Sequence, residues 1–238
     1  MDTLSDLLVA NIPKYKITIP STKKKTLFRP FLVKEEKILL LAQSTGTDSD
    51  ILNAIKHLIE VCVDGVKDAS TIPLFDVEYL FINLRAKSVS EKVKPKIKCP
   101  FSDEEVELSV NLEEVQIKNK PKDTVVSIDE FIKIKLRYPT LGMLIEQNEG
   151  INYNDPNMIY ELVVNCIEEI ITKEESIDAT QLDKSEVSSF VDNMTKNQFE
   201  KLIDFFLSLP KIEHRVPYTT SDGKTREVVL SGLSDFFG

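Results

Sequence analysis

The stretch Lys92-Val93-Lys94-Pro95-Lys96-Ile97-Lys98-Cys99-Pro100-Phe101-Ser102-Asp103-Glu104-Glu105-Val106-Glu107-Leu108-Ser109-Val110 breaks the helical rhythm of the chain before it. Lysine occupies every second position from 92 to 98, with Val93, Pro95, Ile97 and Cys99 between. Successive side chains of a strand point to opposite faces, so Lys92, Lys94, Lys96 and Lys98 share one face. After the turn Pro100–Asp103 the sign reverses, with Glu105 and Glu107 alternating with Val106, Leu108 and Val110. A basic strand hairpinned to an acidic one pairs opposite charges across the ladder, at about 0.2–1 kcal/mol per pair. Two readings stand: a solvated, charge-complementary face, or a basic strip that docks an acidic partner. Pro95 lacks an amide donor and confines its strand to an edge or a bulge.

Outward from that hairpin the pattern on both sides is mainly helical. Toward the N-terminus, Val33–Gln43 reads as a helix weighted by Ile38, Leu39 and Leu41, and Gly46 with Asp48 marks a break. Ile51, Ile55, Leu58, Ile59 and Cys62 then recur at three- and four-residue spacing, with His57 off the stripe as a surface residue. Pro73 opens a third helix whose inner face is Leu74, Val77, Phe81 and Leu84, widened by Phe75, Tyr79 and Leu80. A stripe that broad implies burial between several elements or a subunit contact. Before these helices, Tyr15–Ile19 and Leu27–Phe31 form an N-terminal hairpin around a solvated turn bearing Lys23, Lys24 and Lys25.

Toward the C-terminus, Ile132, Ile134, Leu136 and Tyr138 alternate with Lys133, Lys135 and Arg137 as another strand, and Pro139 opens a short helix that Gly150 stops. Asp155-Pro156 starts a helix whose stripe runs Ile159, Leu162, Val163, Cys166, Ile167 and Ile170. One shorter helix carries Val187, Phe190, Val191 and Met194. Another begins with the capping box Thr195…Gln198, buries Phe199, Leu202, Ile203 and Phe206, and ends at Pro210. Ile212–Tyr218 and Arg226–Leu230 pair around Asp222-Gly223 as a C-terminal hairpin. The last residues carry Phe236 and Phe237, which either tuck into the core or dock on a partner. The expected class is α+β, predominantly helical with short antiparallel β-hairpins at the N-terminus, middle and C-terminus. The segments are 1–91, 92–138 and 139–238, expected to form one compact unit. The aligned steps Cys99-Pro100-Phe101 and Val216-Pro217-Tyr218 raise a degenerate duplication.

Composition narrows function by exclusion. The 238 residues hold 39 acidic and 30 basic side chains, a net charge of −9, which disfavours non-specific nucleic-acid binding. Seven glycines, with no Gly-rich cluster, exclude the common phosphate-cradling loops. Cys62, Cys99 and Cys166 are an odd, scattered set, expected as buried reduced thiols in a cytoplasmic protein. Met1–Ala10 lacks the basic start of a signal peptide, and no stretch reaches the ~18 apolar residues of a membrane span. Cys99 and His214 alone do not make a zinc site, which takes about four ligands. Nucleophile-elbow, zincin, Cys-x-x-Cys and calcium-loop spacings are absent, and no tryptophan is present to stack a sugar. The reading is a non-enzyme with no catalytic, metal or cofactor residues. Its candidate partner contacts are Lys92, Lys94, Lys96, Lys98, Phe236 and Phe237.

Four blocks resemble one family. They are Phe28-Arg29-Pro30-Phe31-Leu32-Val33-Lys34-Glu35-Glu36-Lys37-Ile38-Leu39-Leu40-Leu41-Ala42, Ile72–Phe81, Leu84–Glu91 and Gly232–Phe237. In order and content they resemble the T-even-type bacteriophage baseplate hub protein family. The resemblance implies a structural or assembly protein of a contractile-tail baseplate hub, with other phage hub or tail proteins as partners. It implies no catalytic residues, neither nucleic acid nor membrane as partner, and leaves an oligomer open. It also offers Arg85–Glu91 as a contact surface, against a plain solvated helix end. The location implied is the host cytoplasm during assembly, with the virion tail baseplate as a further one. The alternatives are a transient hub assembly chaperone absent from the virion and a small hydrolase.

Overall fold

The computed structural model describes residues 11–121, 123–147 and 155–237. The first elements are β1 (Tyr15–Thr18), β2 (Lys25–Phe28), α1 (Val33–Thr45), α2 (Asp48–Cys62) and α3 (Leu74–Ser88). β1 and β2 pair antiparallel with Tyr15 opposite Phe28, as the alternation predicts. α1 stops at Gly46, which takes φ 71°, a left-handed conformation open to glycine without a Cβ penalty. Thr47 caps α2 by accepting the Asp50 amide, and Ile55, Leu58, Ile59 and Cys62 are buried on the predicted stripe. These elements enclose the first apolar cluster, which Leu141 from later in the chain completes.

The middle of the chain supplies β3 (Lys92–Val93), β4 (Lys96–Lys98), β5 (Glu105–Glu107), β6 (Val110–Asn111) and β7 (Gln116–Lys118). Pro95 splits the expected single basic strand, so that β3 pairs with β6 and β4 with β5. Pro95 still contributes its carbonyl, which accepts the Leu108 amide at 2.9 Å. β8 (Val125–Ser127) and β9 (Lys133–Leu136) follow, then α4 (Leu141–Gln147) and α5 (Pro156–Cys166). Asp155 caps α5 through the Asn157 and Met158 amides, with Pro156 as its first residue. The stop expected at Gly150 lies outside the described residues, as do Met1–Ala10.

One expectation is corrected at the end of α5. The stripe through Ile167 and Ile170 predicts continued helix, but the chain passes directly into β10 (Ile167–Ile171). Ile170 sits opposite Ile134 and Ile167 opposite Leu136, with a register shift between Ile167 and Glu169. Isoleucine satisfies either period in so short a run, and the ready β9 edge outweighs weak helix preference. Arg137 closes the junction: its guanidinium donates to the Asn165 carbonyl at 2.6 and 3.0 Å, and its amide to the Cys166 carbonyl at 2.8 Å. β11 (Ser176–Asp178) completes a four-stranded antiparallel sheet in the order β11-β10-β9-β8. α6 (Lys184–Asp192) and α7 (Lys196–Leu207), the latter with the Thr195–Gln198 capping box, pack on it around the second cluster.

The chain ends with β12 (Lys211–Thr219), β13 (Thr225–Ser231) and α8 (Gly232–Phe237). The order β13-β12-β7 makes a three-stranded sheet. Gly232, at φ 70°, turns the chain out of β13 into α8. The third cluster gathers β3, β6, β12 and β13 with Ile82 and Ala86 of α3 and Phe236 of α8. α3 therefore faces the first cluster with Val77, Leu80, Phe81 and Leu84 and the third with Ile82 and Ala86. Its Phe75 packs edge-on against Tyr138 at 5.3 Å, beside the second cluster. Burial between several elements is the reason its apolar stripe is so broad.

Candidate functional site

A cavity of about 670 Å³ opens where α1, α2, α3, α7 and α8 meet. That volume lies within the roughly 300–1,000 Å³ range of ligand pockets. Its α3 wall is the stripe Leu74, Glu78, Phe81 and Arg85, spaced to fall on one helix face. Leu39 and Gln43 of α1, Ile51, Leu52 and Ile55 of α2, and Leu207 of α7 form other walls, with Leu233 of α8.

Two acids interrupt the apolar run at the start of α3, and they have different surroundings. Asp76 is fully buried and is met by Ser21 of the β1–β2 turn, whose amide donates to Oδ1 at 2.9 Å and whose hydroxyl donates to Oδ2. Burial raises its pKa, and the two Ser21 bonds oppose that rise. Glu78 faces the cavity and has no hydrogen bond or ion pair among the described residues. Its apolar surroundings push its carboxyl from the ordinary 4.5 up to about 7.

The sign of the resulting pH dependence is fixed. The unfolded chain loses the Glu78 proton near 4.5 while the folded chain keeps it to about 7, so stability falls as pH rises between these values. Glu78→Gln should remove that slope and raise stability at pH 8 by on the order of 2 kcal/mol, read by urea unfolding across pH 4–8. An unchanged slope would mean that Glu78 ionises normally.

The second feature is an uncovered helix face. Ile38, Leu39 and Leu41 were expected to weight α1 inward, yet only Leu39 of the three is buried, beside Glu35 and Ala42. Val33 is 82% exposed, Leu40 57% and Leu41 56%. Helix neighbours lie three and four residues apart, so Leu40 adjoins Gln43 at the cavity wall. The signal available in the sequence was that α1 does not separate into an apolar and a polar face: Lys34–Lys37 put charge all round its first turn and Ile38–Ala42 put apolar side chains all round the next.

The predicted contact residues take different places. Lys94, Lys96 and Lys98 are exposed and ion-paired with Glu107 (2.9 Å), Glu105 (3.6 Å) and Asp103 (3.0 Å). This is the solvated, charge-complementary geometry, and exposed pairs of this kind contribute roughly 0–1 kcal/mol each. Lys92 is exposed on β3, opposite Asn111. Phe236 is 2% exposed within the third cluster, so at this residue the tail takes the tucked-in alternative rather than the partner contact. The side chain of Phe237 lies outside the described residues. Lys87, from the Arg85–Glu91 block, bonds to Glu91 at 2.8 Å and to Glu113 at 2.5 Å.

The two hairpins aligned as a duplication meet at their tips. Glu104 accepts from the amide and hydroxyl of Ser221, both at 3.1 Å, and Tyr218 donates to Cys99 Sγ at 3.5 Å. Hydrogen bonds from Ser102 and Tyr218 bring the Cys99 thiol down to about 7, whereas burial pushes Cys62 to about 11 and Cys166 to about 12. Arg226 lies over Phe101 at 5.6 Å and bonds Asp222 at 2.8 and 3.0 Å, holding that carboxyl far below the usual range. Among the described residues no group of three or more His, Cys, Asp or Glu is placed to hold a metal, and no helix is long and apolar enough to cross a membrane.

The described residues thus form an α+β body with exposed apolar side chains on α1 and a cavity beside them. The family model for the T4 bacteriophage base plate protein matches residues 12–238, and the chain belongs to that family. No curated protein and no solved structure matches it.

Proposed function

We propose that this chain is a non-enzymatic structural or assembly protein of the baseplate hub of a contractile-tail phage, acting through contacts with other hub or tail proteins. Among T-even proteins, the four sequence blocks resemble the hub subunit encoded by gene twenty-six. The observation that carries the reading is the outer face of α1, where Val33, Leu40 and Leu41 lie open to water beside the family's Arg-Pro-Phe step. Exposed apolar side chains gathered on one helix face, here around Lys37, support an interaction site, and membership of a base plate protein family supports another baseplate protein as its partner.

Replacing Val33, Leu40 and Leu41 together with aspartate should leave the fold intact, because exposed positions change stability by only about 0.5 kcal/mol each. The same variant should fail to enter baseplates assembled in infected cells. Incorporation at the wild-type level would remove α1 from the interface. Quantitative mass spectrometry of purified particles separates the two forms of the reading: a subunit is present stoichiometrically, a transient chaperone is absent.

A further inference from the structure

We propose that the cavity beside α3 receives an arginine or lysine side chain of another baseplate protein, its methylene stem against the apolar walls and its cationic end on Glu78. The proposal rests on the assembly reading for the identity of the occupant; the site itself does not. The cavity holds about 670 Å³, and its walls include Leu39, Leu52, Ile55, Phe81 and Leu233. A carboxyl group on such walls without a hydrogen-bond donor is costly, and a cation delivered into the cavity would relieve that cost. Glu78 differs in this from Asp76, which the chain satisfies itself through Ser21.

The two cations that line the cavity each have an acid of the chain nearby. Arg85 lies two turns along α3 and is drawn toward Glu36 of α1. Lys211 is bound to Glu213 at 2.6 Å. Asp48 stands at the start of α2 and adds a second acid to the cavity lining. Of the two acids, Glu78 is the one on the α3 wall beside Phe81 and Leu74, with no hydrogen bond or ion pair among the described residues. Oε1 of Glu78 lies 3.4 Å from where a Cβ on Gly232 would stand, so the α8 turn closes one side of the carboxyl. A side chain apolar along its length and cationic at its tip matches this order of walls and acid. Guanidinium is well suited because it is weakly hydrated and can bond a carboxylate through two parallel N–H groups.

The test uses the full chain with carboxyl-labelled glutamate and n-butylguanidinium as probe, with n-butanol as the neutral control of equal stem. The NMR titration midpoint of Glu78 should fall by a unit or more with n-butylguanidinium and stay in place with n-butanol. Glu78→Gln, close in shape to the native residue, should weaken n-butylguanidinium binding at least tenfold. The midpoint shift is read on the wild-type chain and does not depend on the variant folding. Equal binding of n-butanol, binding unaffected by Glu78→Gln, or no binding of either probe would each overturn the proposal. A chain that binds n-butylguanidinium through Glu78 but never joins baseplates would instead overturn the assembly reading and leave the site standing.

Discussion

Glu35→Ala should destabilise the protein by about 3–5 kcal/mol, the cost of leaving one member of a buried ion pair alone. The Glu35 side chain is 4% exposed and that of Arg29 20%. The pair is bidentate: Arg29 Nη1 donates to Oε2 at 3.0 Å and Nη2 to Oε1 at 2.9 Å. Oε2 also accepts the Leu32 amide at 2.5 Å, which satisfies one of the orphan donors at the start of α1. The Arg-Pro-Phe step is held again at Phe31, whose amide donates to the Ser88 hydroxyl of α3 at 3.0 Å. Arg29-Pro30-Phe31 and Lys34-Glu35-Glu36 are thus two halves of one joint, which ties the start of α1 to the end of α3.

The same pair gives the prediction a pH signature. Burial works to raise the Glu35 pKa, but the Arg29 and Leu32 hydrogen bonds and the charges of Arg29 and Lys34 outweigh it and hold the carboxyl below 4.5. A carboxyl depressed in the folded state adds stability above its ordinary pKa and loses it as pH falls through the lower folded value. Wild type should therefore lose stability on acidification below about pH 4.5 more steeply than Glu35→Ala, in urea melts from pH 7 to 3. Replacing Arg29 and Glu35 together by leucines should cost less than Glu35→Ala alone, since no charge is then stranded. A single-variant loss under about 1 kcal/mol, the range of an exposed pair, would show that the joint is a surface contact.

How much of this was legible depends on whether a local rule acted alone. The Thr195–Gln198 capping box, the Asp155-Pro156 start and the Lys/Glu hairpin each rest on neighbours in sequence, and the structure follows them. Ile167–Ile171 was misread because its outcome depends on β9, some thirty residues earlier, offering an edge. β7, β8 and β11 are three residues each, too short for alternation to show. The cavity was invisible for a related reason: Glu78 and Asp76 look alike in sequence, and only the fold shows that Ser21 reaches one and that none of the described residues bonds to the other. Ile38, Leu39 and Leu41 give α1 its apolar weight in the sequence, but an apolar side chain on a helix carries no mark of whether its face is covered, and only Leu39 of the three is buried.

Phe236→Ala should cost about 3–5 kcal/mol, as expected when a buried phenylalanine is truncated and its cavity only partly collapses. Phe236 is 2% exposed and packs in the third cluster, carried there by the turn at Gly232 and by Asp235, whose Oδ2 accepts the Ser231 amide at 2.7 Å. Its loss should loosen α8 against α3, and with it the Leu233 wall of the cavity. Thermal unfolding with n-butylguanidinium titration reads both effects on one sample: the variant should melt earlier and bind the probe more weakly, with Glu78 still present. A residue that served a partner would behave in the opposite way, keeping its melting point and losing only assembly. If Phe236→Ala melts like wild type but fails to enter baseplates, the tail is a docking element after all. If it loses stability as expected, Phe236 belongs to the third cluster and its contribution is to the fold.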